Sequence, residues 1–490
     1  MADHSQPGDP DPGDPDKPGD PDKPGDPDKP GVPGEPGVPG EPGVPGIPGF
    51  PAIPGLDFSN VDMSELFRIL GSPGPVNWEI ATQIATAVAS GTEAEAGAEA
   101  ETGAGPETGD AVAPSDQTQL EELARAAQTH VVAETGLAAT FATPVRAMGR
   151  REWAELHLSA LRPVLEALAT TLGQAFSPEA MQGLVDEGLM NLDTSLTDTP
   201  DGMPGPEELA AIMPMMAPML LGVQSGSMIG YLARHALGRY DLPLPTADAP
   251  SLAFVVPNLD EFEAAWSLER ADLRFYVAIH EVVHAATRSV AWVRERLLAL
   301  ATDYVSAYEL DPTVLEDRLG DGVFENLDPS DPSSIQALAE HPEELLGALR
   351  SDRQRVLLEH ARVFHAVLEG YADVVLERIG RNLLPSFDRI QEAMARHRIE
   401  RGEAERFVEG LLGLAADRDD YERGAAFCRG VLERAGSDGL NRLWENAAME
   451  PTANELVAPG LWLARIDLDL EFDQDPDQHP DPHPDPGDAT

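Results

Sequence analysis

The chain has 490 residues and a formal net charge of −52, with a single cysteine. A surface this acidic repels nucleic acid and anionic lipid, and one cysteine excludes an intrachain disulfide. Roughly 400 residues lie outside the stretches built mainly of Pro, Gly, Asp, Ala or Glu, which leaves enough chain to bury a large core.

Residues 1–60 form a Pro/Gly/Asp-rich tail in which GDPDKP repeats from Gly13 to Pro30 and Gly-X-Pro triplets run from Gly31 to Gly49. Six triplets are too few for a stable triple helix, so a solvated polyproline II spacer is expected. MADHSQPGDP has no basic or apolar leader region, which points to a cytoplasmic protein. Residues 61–90 read as two helical pieces, MSELFRIL and VNWEIATQIATAVAS, separated by an SPGP turn. Residues 91–116 read as an acidic low-complexity linker.

From 117 to 470 helices dominate. RREWAELHLSALRPVLEALATTLGQAF, PEAMQGLVDEGLM, and the segments 344–380 and 387–435 all carry apolar residues at helical spacing. The uncharged stretch 211–231 is long enough to approach a membrane span. Pro214 and Pro218 interrupt it, however, and Gly222, Gly226 and Gly230 recur at four-residue spacing, so a buried helix packed closely on a neighbour is preferred and no membrane span is expected. SLAFVVPNL (251–259) is the best strand candidate. It could serve as an edge strand for an extended peptide or as an ordinary core strand. Residues 471–490 read as a disordered acidic tail.

The chemistry concentrates at His280-Glu281-Val282-Val283-His284, in a segment without Gly or Pro. On a helix, residues i and i+4 share a face, so both imidazoles can reach one metal ion. Glu281 is rotated away from that pair and can take a proton from attacking water, the general-base part in zinc-assisted hydrolysis. The apolar flanks imply buried histidines, and buried imidazoles beside a carboxylate are costly unless paired or bound to metal.

A second segment, His365-Ala-Val-Leu-Glu369-Gly-Tyr-Ala-Asp373, puts three polar residues on one helical face. Its Glu-x-x-x-Asp portion resembles the second helix of the gluzincin metallopeptidases. That resemblance implies Glu369 as third zinc ligand and Asp373 as the partner that orients a ligand histidine. His365 is a rival third ligand. Arg274, His360 and Tyr371 are possible oxyanion-stabilising groups, and the sequence selects none of them.

More widely, VNWEIATQIA, FVVPNLDEF, LRFYVAIHEVVHAATRSVAWVRERL, VLEGYADVVLERIG, GLLGLAADRDDYERGAAFCRGV and EPTANELVAPGLWLARI resemble a mainly actinobacterial family described as zinc-dependent metalloproteases or hydrolases. Some members are named for an association with deazaflavin-coenzyme biosynthesis. The resemblance covers about 62–470. It implies a mainly α, zincin-like fold with at most a small sheet between disordered arms, and a Zn2+ cofactor. The activity expected is zinc-dependent peptide-bond hydrolysis of an unidentified peptide or protein. The alternatives are hydrolysis of a small-molecule amide, or a catalytically inactive scaffold stabilised by zinc.

Overall fold

The structure is a computed structural model and describes residues 74–91, 110–137, 145–175, 206–246, 248–308, 351–399, 403–414 and 416–473. The expected N-terminal spacer, the MSELFRIL and PEAMQGLVDEGLM helices, most of the 91–116 linker and most of the 471–490 tail lie outside these residues, while 114–116 and 471–473 are helical.

The described chain is mainly helical. In order it forms α1 (Trp78–Ser90), α2 (Pro114–Thr135), β1 (Val145–Met148), α3 (Arg150–Ala160), α4 (Arg162–Ala175), α5 (Pro206–Ala233) and β2 (Leu252–Val255). It continues with α6 (Val256–Trp266), α7 (Arg270–Ser289), α8 (Ala291–Val305), α9 (Asp352–Leu383), α10 (Phe387–Ile399), α11 (Glu403–Leu412) and α12 (Arg418–Asn441). Two short 3-10 turns then lead to α13 (Ala453–Val457) and α14 (Pro459–Asp473).

The only sheet among the described residues pairs β1 and β2 in parallel, with Val145 opposite Leu252 and Met148 opposite Val255. The expected strand over 251–259 is therefore shorter. Backbone from Val256 turns into α6, because Pro257 falls in the first helical turn, where a missing N–H costs nothing. The other side of β2 is also occupied. Val255 N–H donates to the Leu237 carbonyl at 3.0 Å and Arg239 N–H donates to the Ala253 carbonyl at 3.1 Å. All four residues of β2 are buried, so it is a core strand with no free edge over Ala253–Val255 for an extended peptide.

Helix α7 runs through the centre. Every residue from Tyr276 to Arg288 is buried, and a helix buried on all faces must be surrounded by other elements. Arg274 fixes its entry: Nε donates to Glu263 at 3.0 Å, Nη2 to Asp260 at 2.7 Å, and Nη1 to Asp116 at 2.8 Å and to Gln119 at 3.0 Å. Helix α9 starts at a reciprocal capping box, in which the Ser351 hydroxyl accepts from Gln354 N–H and the Gln354 side chain accepts from Ser351 N–H. It runs antiparallel to α7. Tyr276 meets Phe387 just beyond the end of α9, His284 meets Glu369, and Trp292 meets Phe364.

Glycines set two close crossings. On α5, a Cβ at Gly222, Gly226 or Gly230 would strike the carbonyl oxygen of Asn77, Ala81 or Ala85, so the four-residue glycine repeat is the seam along which α1 docks. On α9, a Cβ at Gly370 would strike the backbone of Gly424, and one at Gly424 would strike the Ala366 carbonyl of α9. No described helix is long and apolar enough to cross a membrane.

Candidate metal centre

His280 and His284 project from the same face of α7, and Glu369 comes from the facing turn of α9. One ligand atom from each lies within 4.8 Å of the other two. The two Nε2 atoms are 3.1 Å apart, and His284 Nε2 is 3.5 Å from Glu369 Oε1. Zinc bonds of about 2.0–2.1 Å at tetrahedral angles place neighbouring ligand atoms about 3.3–3.4 Å apart, so this spacing fits a zinc ion held by all three.

The protonation states fit as well. Burial, with the like charge of His284 and Arg398 nearby, holds His280 neutral well below the ordinary histidine value. Burial lowers His284 in the same direction. Burial alone would raise the Glu369 carboxyl, but the neighbouring histidines and Arg398 keep it ionised below the usual carboxylate range. Two neutral imidazoles and one carboxylate are the donor forms that zinc requires.

Glu281 is fully buried, and its carboxylate is gripped by backbone. Oε2 accepts from Arg239 N–H and Oε1 from Tyr240 N–H, each at 2.9 Å. Oε1 also lies 3.8 Å from His280 Nδ1. Gly238 makes room for it, since a Cβ there would sit 2.5 Å from the Glu281 carboxyl carbon. Burial pushes the Glu281 carboxyl up to about 8 against the pull of these two N–H groups. The clamp is itself held by α3. Trp153 Nε1 donates to the Gly238 carbonyl at 2.8 Å, and His157 Nε2 lies 3.2 Å from the Arg239 carbonyl.

Asp373 stands one turn beyond Glu369, but the bonds its carboxylate makes run to Arg398, whose Nη1 donates to its two oxygens at 3.0 and 3.2 Å. Arg398, from α10, also reaches within 3.8 Å of Glu369 Oε2. The expected bond from Asp373 to a ligand histidine is thus replaced by an arginine placed between two carboxylates. Besides Glu369, the carboxylate whose charge acts on His280 is Asp241, ionised against its burial by His397 at 3.2 Å and by Leu237 N–H at 3.1 Å. His365 is buried one turn before Glu369, outside the converging triplet, and its Nδ1 has no partner.

Sequence reasoning missed Gly238, Asp241, Arg288 and Arg398. Arg288 alone carried a local signal, since it continues the 280/284 spacing by one more turn. Its Nη1 lies 2.6 Å from His284 Nδ1, and its guanidinium stacks over Tyr240 at 4.8 Å. The three expected oxyanion groups are placed elsewhere: Arg274 is consumed by its acidic partners, the Tyr371 hydroxyl donates to Asn441 at 2.8 Å, and His360 is exposed.

A structure from Chloroflexus aurantiacus, described as a candidate hydrolase with a novel fold, matches at 23% identity and a TM-score of 0.48, covering 80% of this chain and 99% of that one. No functionally curated protein matches the chain. The model of the zincin-like metallopeptidase family matches residues 76–463, a span that contains α7, α9 and the converging donors they carry; the chain belongs to that family.

Proposed function

We propose that this protein is a zinc-dependent hydrolase that cleaves a peptide bond. The observation that carries the reading is the convergence of two neutral imidazoles and an ionised carboxylate at tetrahedral spacing, with the Glu281 carboxylate fixed beside them. His280, His284 and Glu369 hold the metal. Zinc bound there supplies Lewis acidity, which polarises the carbonyl under attack and acidifies water. Glu281 takes a proton from the attacking water on a carboxylate oxygen and then delivers it to the leaving nitrogen. A base pushed up by burial towards neutrality suits both steps, because it accepts and returns the proton near working pH. The two backbone N–H groups fix the direction of that carboxylate before substrate arrives.

The test is Glu281→Gln in zinc-replete protein, with bound metal measured by mass spectrometry and turnover measured on a peptide library. Zinc should remain stoichiometric while hydrolysis falls by several orders of magnitude. Turnover that survives the substitution would sink the mechanism. Glu369→Ala should instead lose the metal.

A second reading, a zinc-stabilised protein without catalysis, draws on the same clamp, because both oxygens of Glu281 are already bonded to backbone. It predicts that Glu281→Gln lowers the melting temperature of a wild type that has no turnover on any library member.

A further inference from the structure

Arg288 carries a buried charge without a matching bond. It is 1% exposed, and no carboxylate lies within ion-pair distance of it among the described residues. Its Nη1 reaches His284, but Nε and Nη2 have no hydrogen-bond partner. These two nitrogens form the edge of a guanidinium that grips a carboxylate through two parallel bonds. Folded proteins leave few buried polar atoms unsatisfied, and a charged donor left so is costly.

A second unpartnered atom belongs to the same place. His365 is 3% exposed, and its Nδ1 lacks a partner. Because α7 and α9 run antiparallel, the step from His284 to Arg288 on one helix matches the step from Glu369 back to His365 on the other. The charge of Arg288 is felt at His365, which burial holds neutral. A neutral imidazole can offer its N–H to an anion without adding a second buried charge. The Tyr240 ring covers one face of the guanidinium. The titratable groups that act on Arg288 are Tyr240, Glu369, Glu281 and Arg239. None of them fills the Nε/Nη2 edge.

We propose that Arg288 and His365 form an anion subsite that receives a carboxylate of the substrate, about 5.4 Å, one helical turn, beyond the metal donors. The distance to the reacting bond rests on the zinc-hydrolase reading; the subsite itself does not. A C-terminal carboxylate and an acidic side chain present the same chemistry to this fork. The substrate class is therefore a peptide or amide with a carboxylate close to the cleaved bond.

The test compares two probes that differ in one group, the monohydroxamate of succinic acid and its neutral carboxamide analogue. Both are titrated calorimetrically at constant ionic strength into zinc-loaded and zinc-free protein. The carboxylate probe should bind about tenfold tighter or more, the scale of losing charge-assisted hydrogen bonds. That advantage should vanish in Arg288→Gln and shrink in His365→Phe. Equal affinities for the two probes in wild type would overturn the subsite, as would an advantage that persists in Arg288→Gln. If Arg288→Gln does not fold, the wild-type pair and His365→Phe decide. Failure to take up zinc would count against the metal reading alone, because the zinc-free arm still reports on the fork. Competition by N-acetylalanine or by an aspartate residue capped at both ends names the source of the carboxylate, and displacement by neither would also overturn the proposal.

Discussion

Gly238 is the residue on which the orientation of Glu281 depends. Its missing side chain leaves the space that the Glu281 carboxyl occupies, and the next two residues donate the N–H groups that hold it. Gly238→Ala should push that carboxylate off its donors, with a cost of about 1–3 kcal/mol read by denaturant unfolding. Stoichiometric zinc should persist while turnover drops, separating an aiming defect from a binding defect. His157 supports the same segment from behind. It is fully buried, and burial with the charge of Arg239 lowers it to about 4. The unfolded chain protonates its histidines near pH 6.5, so between there and about pH 4 the unfolded state binds the extra proton and acid favours unfolding. For His157 alone the loss is roughly 3 kcal/mol across that window. Urea melts of metal-free protein at stepwise lower pH should show the decline, and His157→Gln should flatten part of it.

At the scale of elements, the position of Glu369 is set by how closely α9 and α12 cross. Gly370 and Gly424 let the two backbones touch, and that contact lies next to the Glu369 carboxylate. Gly424→Ala forces a methyl into the Ala366 carbonyl, and overpacking of this kind typically costs about 1–3 kcal/mol or more. Because α9 carries Glu369, the same change should weaken zinc binding, checked by competition with a chelating dye. An unchanged zinc affinity alongside a lowered melting temperature would mean that α9 holds its place independently of α12. The donor pair on α7 was legible because i, i+4 spacing fixes a shared face whatever surrounds the helix. Glu369 was legible through the resemblance of its helix to the gluzincins. The clamp on Glu281 was not legible, because its donors are backbone N–H groups some forty residues earlier, and backbone leaves no mark in residue type. Asp373 has the right spacing to reach a histidine, yet Arg398 arrives from α10 and takes both its oxygens. Helix periodicity does not announce such an intruder. The strand at 251–259 shortened for a local reason, since Pro257 begins a helix more readily than it continues a ladder.

For the molecule as a whole, zinc would join two central helices whose donors lie 85 residues apart in sequence, from His284 to Glu369. Metal that binds only the folded chain stabilises it in proportion to the logarithm of its excess over the dissociation constant. Stripping zinc should therefore lower the melting temperature of wild type, while Glu369→Ala, already metal-free, should show no further drop. The mainly helical architecture with one short parallel pair agrees with the periodicity read from the sequence. The stretch 211–231 read as ambiguous because low charge suits both a bilayer and a core, and the ambiguity ends in the contact between its glycines and α1.

That seam between α1 and α5 also bears on whether the chain must be continuous. Helix α1 is separated from the next described residues by 92–109, and it is held by Ile80, Ile84 and Val88 packed with Met219 of α5 along the glycine-lined crossing. Two fragments, 1–100 and 101–490, expressed together, should find each other through that surface and restore zinc uptake. Substituting Gly226 by Val in the larger fragment should abolish the complementation, making the protein a two-part reporter whose assembly is switched by a single methine carbon and its two methyls.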